Sequence, residues 1–121
     1  MRAESVSLRW RGRGTERVGA QMLVLLDARF GDLRWVMMLA LVGLEQHGSY
    51  REVLIDNGLR VVGDVVLKDG AYMLRLSALV DALRPAELEE LIERVAASAT
   101  VLRSGLVPPD RKLDCYSWIQ D

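Results

Sequence analysis

Along the first third of the chain the apolar positions change period. Val6-Ser7-Leu8-Arg9-Trp10 alternates apolar and polar, the period of a half-buried strand. Arg11-Gly12-Arg13-Gly14-Thr15-Glu16-Arg17 follows as a charged, glycine-bearing loop, and residues 18–26 then run apolar with β-compatible side chains. The two stretches predict a hairpin. From Asp32 onward, Leu33, Val36, Met37, Ala40, Leu41 and Leu44 recur at spacings of three and four, the apolar stripe of a helix. Asp32 behind Gly31 suits an N-cap and Gly48 a left-handed C-cap, so a helix is expected over 32–47.

Three strands are expected next, over 50–56, 59–67 and 71–79. They are separated by Asn57-Gly58 and Asp69-Gly70, dipeptides that favour the positive φ angles of a type I′ hairpin turn. In the last strand Tyr72, Leu74, Leu76 and Ala78 alternate with Met73, Arg75 and Ser77, so one sheet face should be buried and the other at least partly wet. Asp64 interrupts its strand, and a bulge at Gly63-Asp64 accounts for it. A second helix is expected over 85–103. Pro85 fits its first turn, Glu87, Glu89 and Glu90 sit near the positive dipole end, and Leu88, Leu91, Ile92, Val95, Ala99 and Leu102 form its stripe. The order β-β-α-β-β-β-α describes an α+β domain: a mostly antiparallel sheet with two amphipathic helices on one face. Residues 1–107 form that single domain, and 108–121 a C-terminal tail broken off by Pro108-Pro109.

Composition narrows the function classes. The chain has 121 residues, half of them hydrophobic and 27% charged, which argues against disorder as the main state. A net charge of −1 disfavours a dedicated nucleic-acid binder. One cysteine suits a reducing compartment, and the longest near-continuous apolar run, residues 35–44, falls well short of the ~20 residues that span a bilayer. With no secretory signal visible either, a soluble cytoplasmic protein without membrane attachment is expected.

Candidate chemistry is sparse. His47 is the only imidazole, but at an expected helix end it serves the dangling carbonyls and the dipole. Cys115, with Asp110 and Asp114 nearby, lacks the positive surroundings of a nucleophilic thiol. Glu87, Glu89, Glu90 and Glu93 read as a solvated helix face. No catalytic residue, metal ligand or cofactor is therefore expected. Gly12-Arg13-Gly14 lacks the third glycine and the βαβ setting of a nucleotide loop. Arg9, Arg11, Arg13 and Arg17, with Trp10 beside them, make a local basic patch that suits either a solvated loop or single-stranded nucleic acid. More telling is the apolar surplus. The expected first helix is apolar nearly all round, which leaves Trp35, Met38 and Val42 on its non-core side, with Met73 on the sheet, as a partner-binding or dimer surface.

From Leu59 to Arg103 the chain carries a strand, the Asp69-Gly70 turn, a second strand, and a helix opening Pro85-Ala86-Glu87-Leu88 with a late alanine run, Ala96-Ala97-Ser98-Ala99. This stretch resembles the C-terminal half of YbjN-like proteins and the related type III secretion chaperone fold. The N-terminal helix of that family is not evident here. The resemblance implies an α+β domain that usually dimerises and holds other proteins on apolar surface without catalysis. It points to a chaperone-like or regulatory adaptor, a homodimer with a protein partner. The alternative is a nucleic-acid-associated stress adaptor that uses the arginine-rich loop.

Overall fold

A computed structural model describes residues 4–13, 15, 19–45, 50–60 and 63–106. In order they form β1 (Glu4–Trp10), β2 (Gln21–Phe30), β3 (Leu33–Leu44), α1 (Tyr50–Leu59), β4 (Asp64–Lys68), β5 (Ala71–Leu79), a 3-10 turn (Val80–Ala82) and α2 (Pro85–Leu106). The class is α+β: a five-stranded antiparallel sheet, ordered β1-β2-β3-β5-β4, with both helices on one face. The expected order of elements needs correction, because β-β-β-α-β-β-α is observed. The third element is a strand and the fourth a helix.

The expected helix over 32–47 is the central strand β3, flanked by β2 and β5. A strand buried on both faces is apolar at every position, so a three-and-four spacing can always be picked out of it. Gly31-Asp32 is not a helix cap. It is a two-residue turn that leaves Phe30 opposite Leu33, with Gly31 at φ +63°. Glycine at the first central position is what a type II′ hairpin requires.

The expected strand over 50–56 is α1, and Asn57-Gly58 lies in that helix rather than in a hairpin turn. Tyr50, Val53 and Ile55 favour strands by propensity, which tertiary context overrides here. The strand expected over 59–67 shortens to Asp64–Lys68. Gly63, at φ +75°, precedes it; a Cβ there would stand 2.9 Å from the Arg75 carbonyl oxygen. No bulge forms at Gly63-Asp64. The register shift of the sheet lies in β3, between Leu41 and Gly43.

Other expectations hold closely. Residues 71–79 are β5, and Asp69 (φ +52°) with Gly70 (φ +79°) makes the β4–β5 turn. The expected β1 and β2 form a hairpin paired from Glu4–Asp27 to Trp10–Gln21. The helix expected over 85–103 runs to Leu106, through Gly105. Its stripe meets the sheet: Val95, Ala96 and Ala99 are buried against Leu23, Met38, Ala40, Val42, Tyr72 and Leu74. Alanines at the contact let the helix backbone approach closely, and each large side chain buried there contributes roughly 1.5–3 kcal/mol.

Buried polar groups lock the far end of α2. Gln21 Nε2 donates to the carbonyls of Met22 (3.1 Å) and of Leu41 (3.0 Å), where β3 changes register. Thr100 Oγ1 lies 2.8 Å from the Ala96 carbonyl. Arg103, wholly buried, donates from Nη2 to the Gly19 carbonyl at 2.6 Å and to that of Ala20 at 3.3 Å. Among the described residues no helix is long and apolar enough to cross a membrane. The residues over 108–121, as well as His47 and Gly48, lie outside the described residues.

Candidate interaction surfaces

Strand periodicity sorts the apolar residues of the sheet onto two faces. Val36, Met38, Ala40 and Val42 of β3 point to the helices, as do Leu23 and Leu25 of β2 and Tyr72, Leu74 and Leu76 of β5. Their sequence neighbours point the other way. Trp35, Met37, Leu39 and Leu41 line up with Met22, Val24, Leu26 and Ala28 on one side and Met73, Arg75, Ser77 and Leu79 on the other. Along β2 and β3 this outer face is as apolar as the core, with Ser5, Ser7 and Arg9 of β1 and Asp64 and Arg75 of the β4–β5 pair flanking it, and no described helix packs on it.

The outer face grades along its length. Near the register shift Leu41 and Met73 are buried, with Met22, Ala71 and Leu44 around them. Toward the β2–β3 turn it opens. Ala28, Phe30, Leu33, Trp35, Met37 and Ser77 line a cavity of about 360 Å³. Phe30 is 82% exposed and Leu33 50%. Single exposed apolar residues are ordinary, but a contiguous group with one serine as its only polar member marks an interaction site.

A second apolar surface belongs to α1. Its inward side offers only half-buried groups: Val53, which packs on the core, and Asn57. Outward it shows Tyr50, Leu54, Ile55 and Leu59, all exposed. Asn57 holds the helix to the sheet edge. Its Nδ2 donates to the Val65 carbonyl (2.9 Å) and its Oδ1 accepts from the Val65 N–H (2.7 Å). Tyr50 donates to Glu45 and stands edge-on to Tyr72, ring centres 6.2 Å apart. The Glu45 hydrogen bond raises the Tyr50 pKa above its ordinary value, and burial, helped by Glu45, raises that of Tyr72. The Tyr72 hydroxyl is buried without a hydrogen-bond partner.

A second cavity, about 460 Å³, lies between the first turn of α2 and β1–β3, lined by Val6, Leu25, Val36, Leu83 and Leu88 among others. Asp27 and Arg34 pair across its rim at 3.1 Å.

The four residues expected to form one surface do not do so. Met38 and Val42 are wholly buried beneath the helices. Met73 is on the outer face but also wholly buried, and only Trp35 reaches the open end. On a helix 35, 38 and 42 would share a side; on a strand 35 faces opposite to 38 and 42. Phe30, Leu33, Met37 and Ala28 were missing from the expected set, although Gly31-Asp32 between two apolar residues is a legible hairpin signal. Of the basic patch, Arg9, Arg11 and Arg13 are exposed at the end of β1 and just after it, while Arg17 lies outside the described residues, as does Cys115.

No family model matches the chain, and neither a characterised protein nor a solved structure does.

Proposed function

We propose that the protein is a non-enzymatic protein-binding module, a chaperone-like or regulatory adaptor of the cytoplasm. It holds a segment of a partner protein against the open end of the outer sheet face. One observation carries this reading: Trp35, Met37, Phe30, Leu33 and Ala28 make a contiguous apolar surface beside a cavity of about 360 Å³, with no described element over it. The surface is shaped for side chains. It offers a tryptophan and a flexible methionine, the residue types that anchor and adapt at interfaces. The outer side of α1 adds a second apolar surface of the same character. The strand, Asp-Gly turn, strand and long helix over 64–106 are the stretch in which the sequence resembles YbjN-like proteins and type III secretion chaperones, and that resemblance points to the same reading.

The test is affinity purification from the native cell with wild type, Trp35→Asp and Arg11→Ala, each at low and high salt. A partner held by apolar contact survives high salt and is lost with Trp35→Asp. A partner that persists with Trp35→Asp but is lost with Arg11→Ala and with salt would instead indicate phosphate contacts, whose affinity falls steeply with ionic strength.

A further inference from the structure

The two edges of the sheet are treated differently. At β4 the edge is short, five residues, and its outward backbone is occupied: the Asn57 carboxamide takes both the N–H and the C=O of Val65, standing in for a neighbouring strand. Asp64 on that strand is further tied to Arg75 at 3.2 Å. Along Ser5–Leu8 of β1 no described side chain takes a comparable place. The strand is seven residues long and contains no proline, and its pairing with β2 runs without a register shift. Over Ser5–Leu8 its outward backbone groups have no partner among the described residues. An unblunted edge of this length is a template for another strand.

We propose that a second copy of this chain supplies that strand. Two β1 strands pair antiparallel about a two-fold axis through Ser7 and join the two sheets into one. The central run Ser5-Val6-Ser7-Leu8-Arg9 is complementary to itself in this register. A two-fold axis normal to the sheet keeps each residue on its own face, so partners share parity. Ser7 meets Ser7, Val6 meets Leu8 and Ser5 meets Arg9. On the helix-covered side apolar Val6 therefore meets apolar Leu8, with Glu4 opposite Trp10 at the strand ends, and on the outer side polar meets polar. No like charges stand opposite, and the two Arg9 residues lie about 14 Å apart along the strand, beyond a physiological Debye length. Val6, 57% exposed, sits at the mouth of the cavity bounded by Leu25, Leu83 and Leu88. Leu8 of the second copy covers it there. Each copy thereby gains backbone hydrogen bonds along a strand about 24 Å long and an apolar contact on one flank. The contact leaves the open end of the outer face free, so it stands independently of the proposed binding reading.

Sedimentation equilibrium of the full chain, with two sets of variants, tests the proposal. The wild type should be a dimer at high micromolar concentration. Val6→Lys, at an exposed position, should keep its circular dichroism and weaken self-association roughly tenfold or more. Under mild oxidation in a Cys115→Ser background, Ser7→Cys should form an intermolecular disulfide, because the two residues face each other across the axis at about 5 Å between Cβ atoms. Ser5→Cys should not, its two copies lying about 14 Å apart along the strand. A monomeric wild type overturns the proposal. So does a dimer in which Ser5→Cys cross-links as well as Ser7→Cys, or one that Val6→Lys leaves intact. A dimer lost with Trp35→Asp instead would place self-association on the outer face and equally overturn it.

Discussion

Along β2 and β3 the two faces of the sheet carry similarly apolar side chains and have different fates. On one, Leu23, Met38, Ala40, Val42, Tyr72 and Leu74 disappear beneath α2. On the other, residues one position away along the same strands reach an open surface at Trp35, Met37, Phe30 and Leu33. Along these two strands composition does not separate them. What does is the small-residue stripe of α2, Val95, Ala96 and Ala99, which gives one face a cover. An apolar sheet face without such a cover is costly to leave in water and is retained when something is held there.

Substitutions that are chemically alike but placed on opposite faces should therefore diverge. Met38→Glu puts an unpaired carboxylate where no solvent reaches, a cost of several kcal/mol against a total stability of about 5–15 kcal/mol. Chemical denaturation should show no cooperative transition for this variant. Trp35→Asp, three residues back along the same strand and on the open end, should keep the transition and lose only about 1 kcal/mol or less. Equal loss in both would erase the distinction between the faces.

Asn57→Ala probes the join between α1 and the sheet. It removes two hydrogen bonds to Val65 and leaves that edge unpaired, at a cost of about 1–3 kcal/mol. Urea denaturation gives the figure, and hydrogen exchange should show the Val65 amide losing protection before those of β2 and β3. A change below the error of the measurement would mean that α1 is held by its apolar contacts alone.

The smallest effect is expected at Tyr72. Its hydroxyl is buried without a partner, so Tyr72→Phe should be neutral or slightly stabilising at pH 7. Burial raises its pKa, so the folded state favours the neutral phenol. The stability this confers is complete below the unfolded pKa near 10. It is lost as pH rises from there through the higher folded value, because the unfolded chain ionises first. Wild-type stability should fall above about pH 10, and Tyr72→Phe should fall less steeply; identical profiles would show that the hydroxyl stays wet.

The same two-sided burial explains which parts of the fold were legible in the sequence. β1 and β5 alternate because one of their faces is wetter, as with Arg9, Arg75 and Ser77, and both are read correctly. α2 is amphipathic, with Glu87, Glu89 and Glu90 outward, and is also read correctly. β3 has no wet face over its central stretch, so its period is undetermined, and a helical stripe appears in it by default. α1 fails for the opposite reason. None of its residues is buried, and apart from Val53 its apolar side chains point outward, so no stripe marks it as a helix. Both misreadings converge on the site. With β3 taken as helical, Met38 and Val42 join Trp35 on a surface that does not exist, Leu33 disappears into a helix start, and Phe30 is left between the two elements. The signals that survive are local: Gly31-Asp32, and the tryptophan itself.

Site-specific photo-crosslinking in the native cell tests the binding reading most directly. A photoreactive residue replaces Phe30, on the open outer face, or Val101, which is 71% exposed on the far side of α2. If the outer face holds a partner, the label at 30 yields one defined protein adduct that disappears when Trp35→Asp is added, and the label at 101 yields none. The reading is contradicted if position 30 gives no adduct, or if both positions give the same adducts regardless of Trp35.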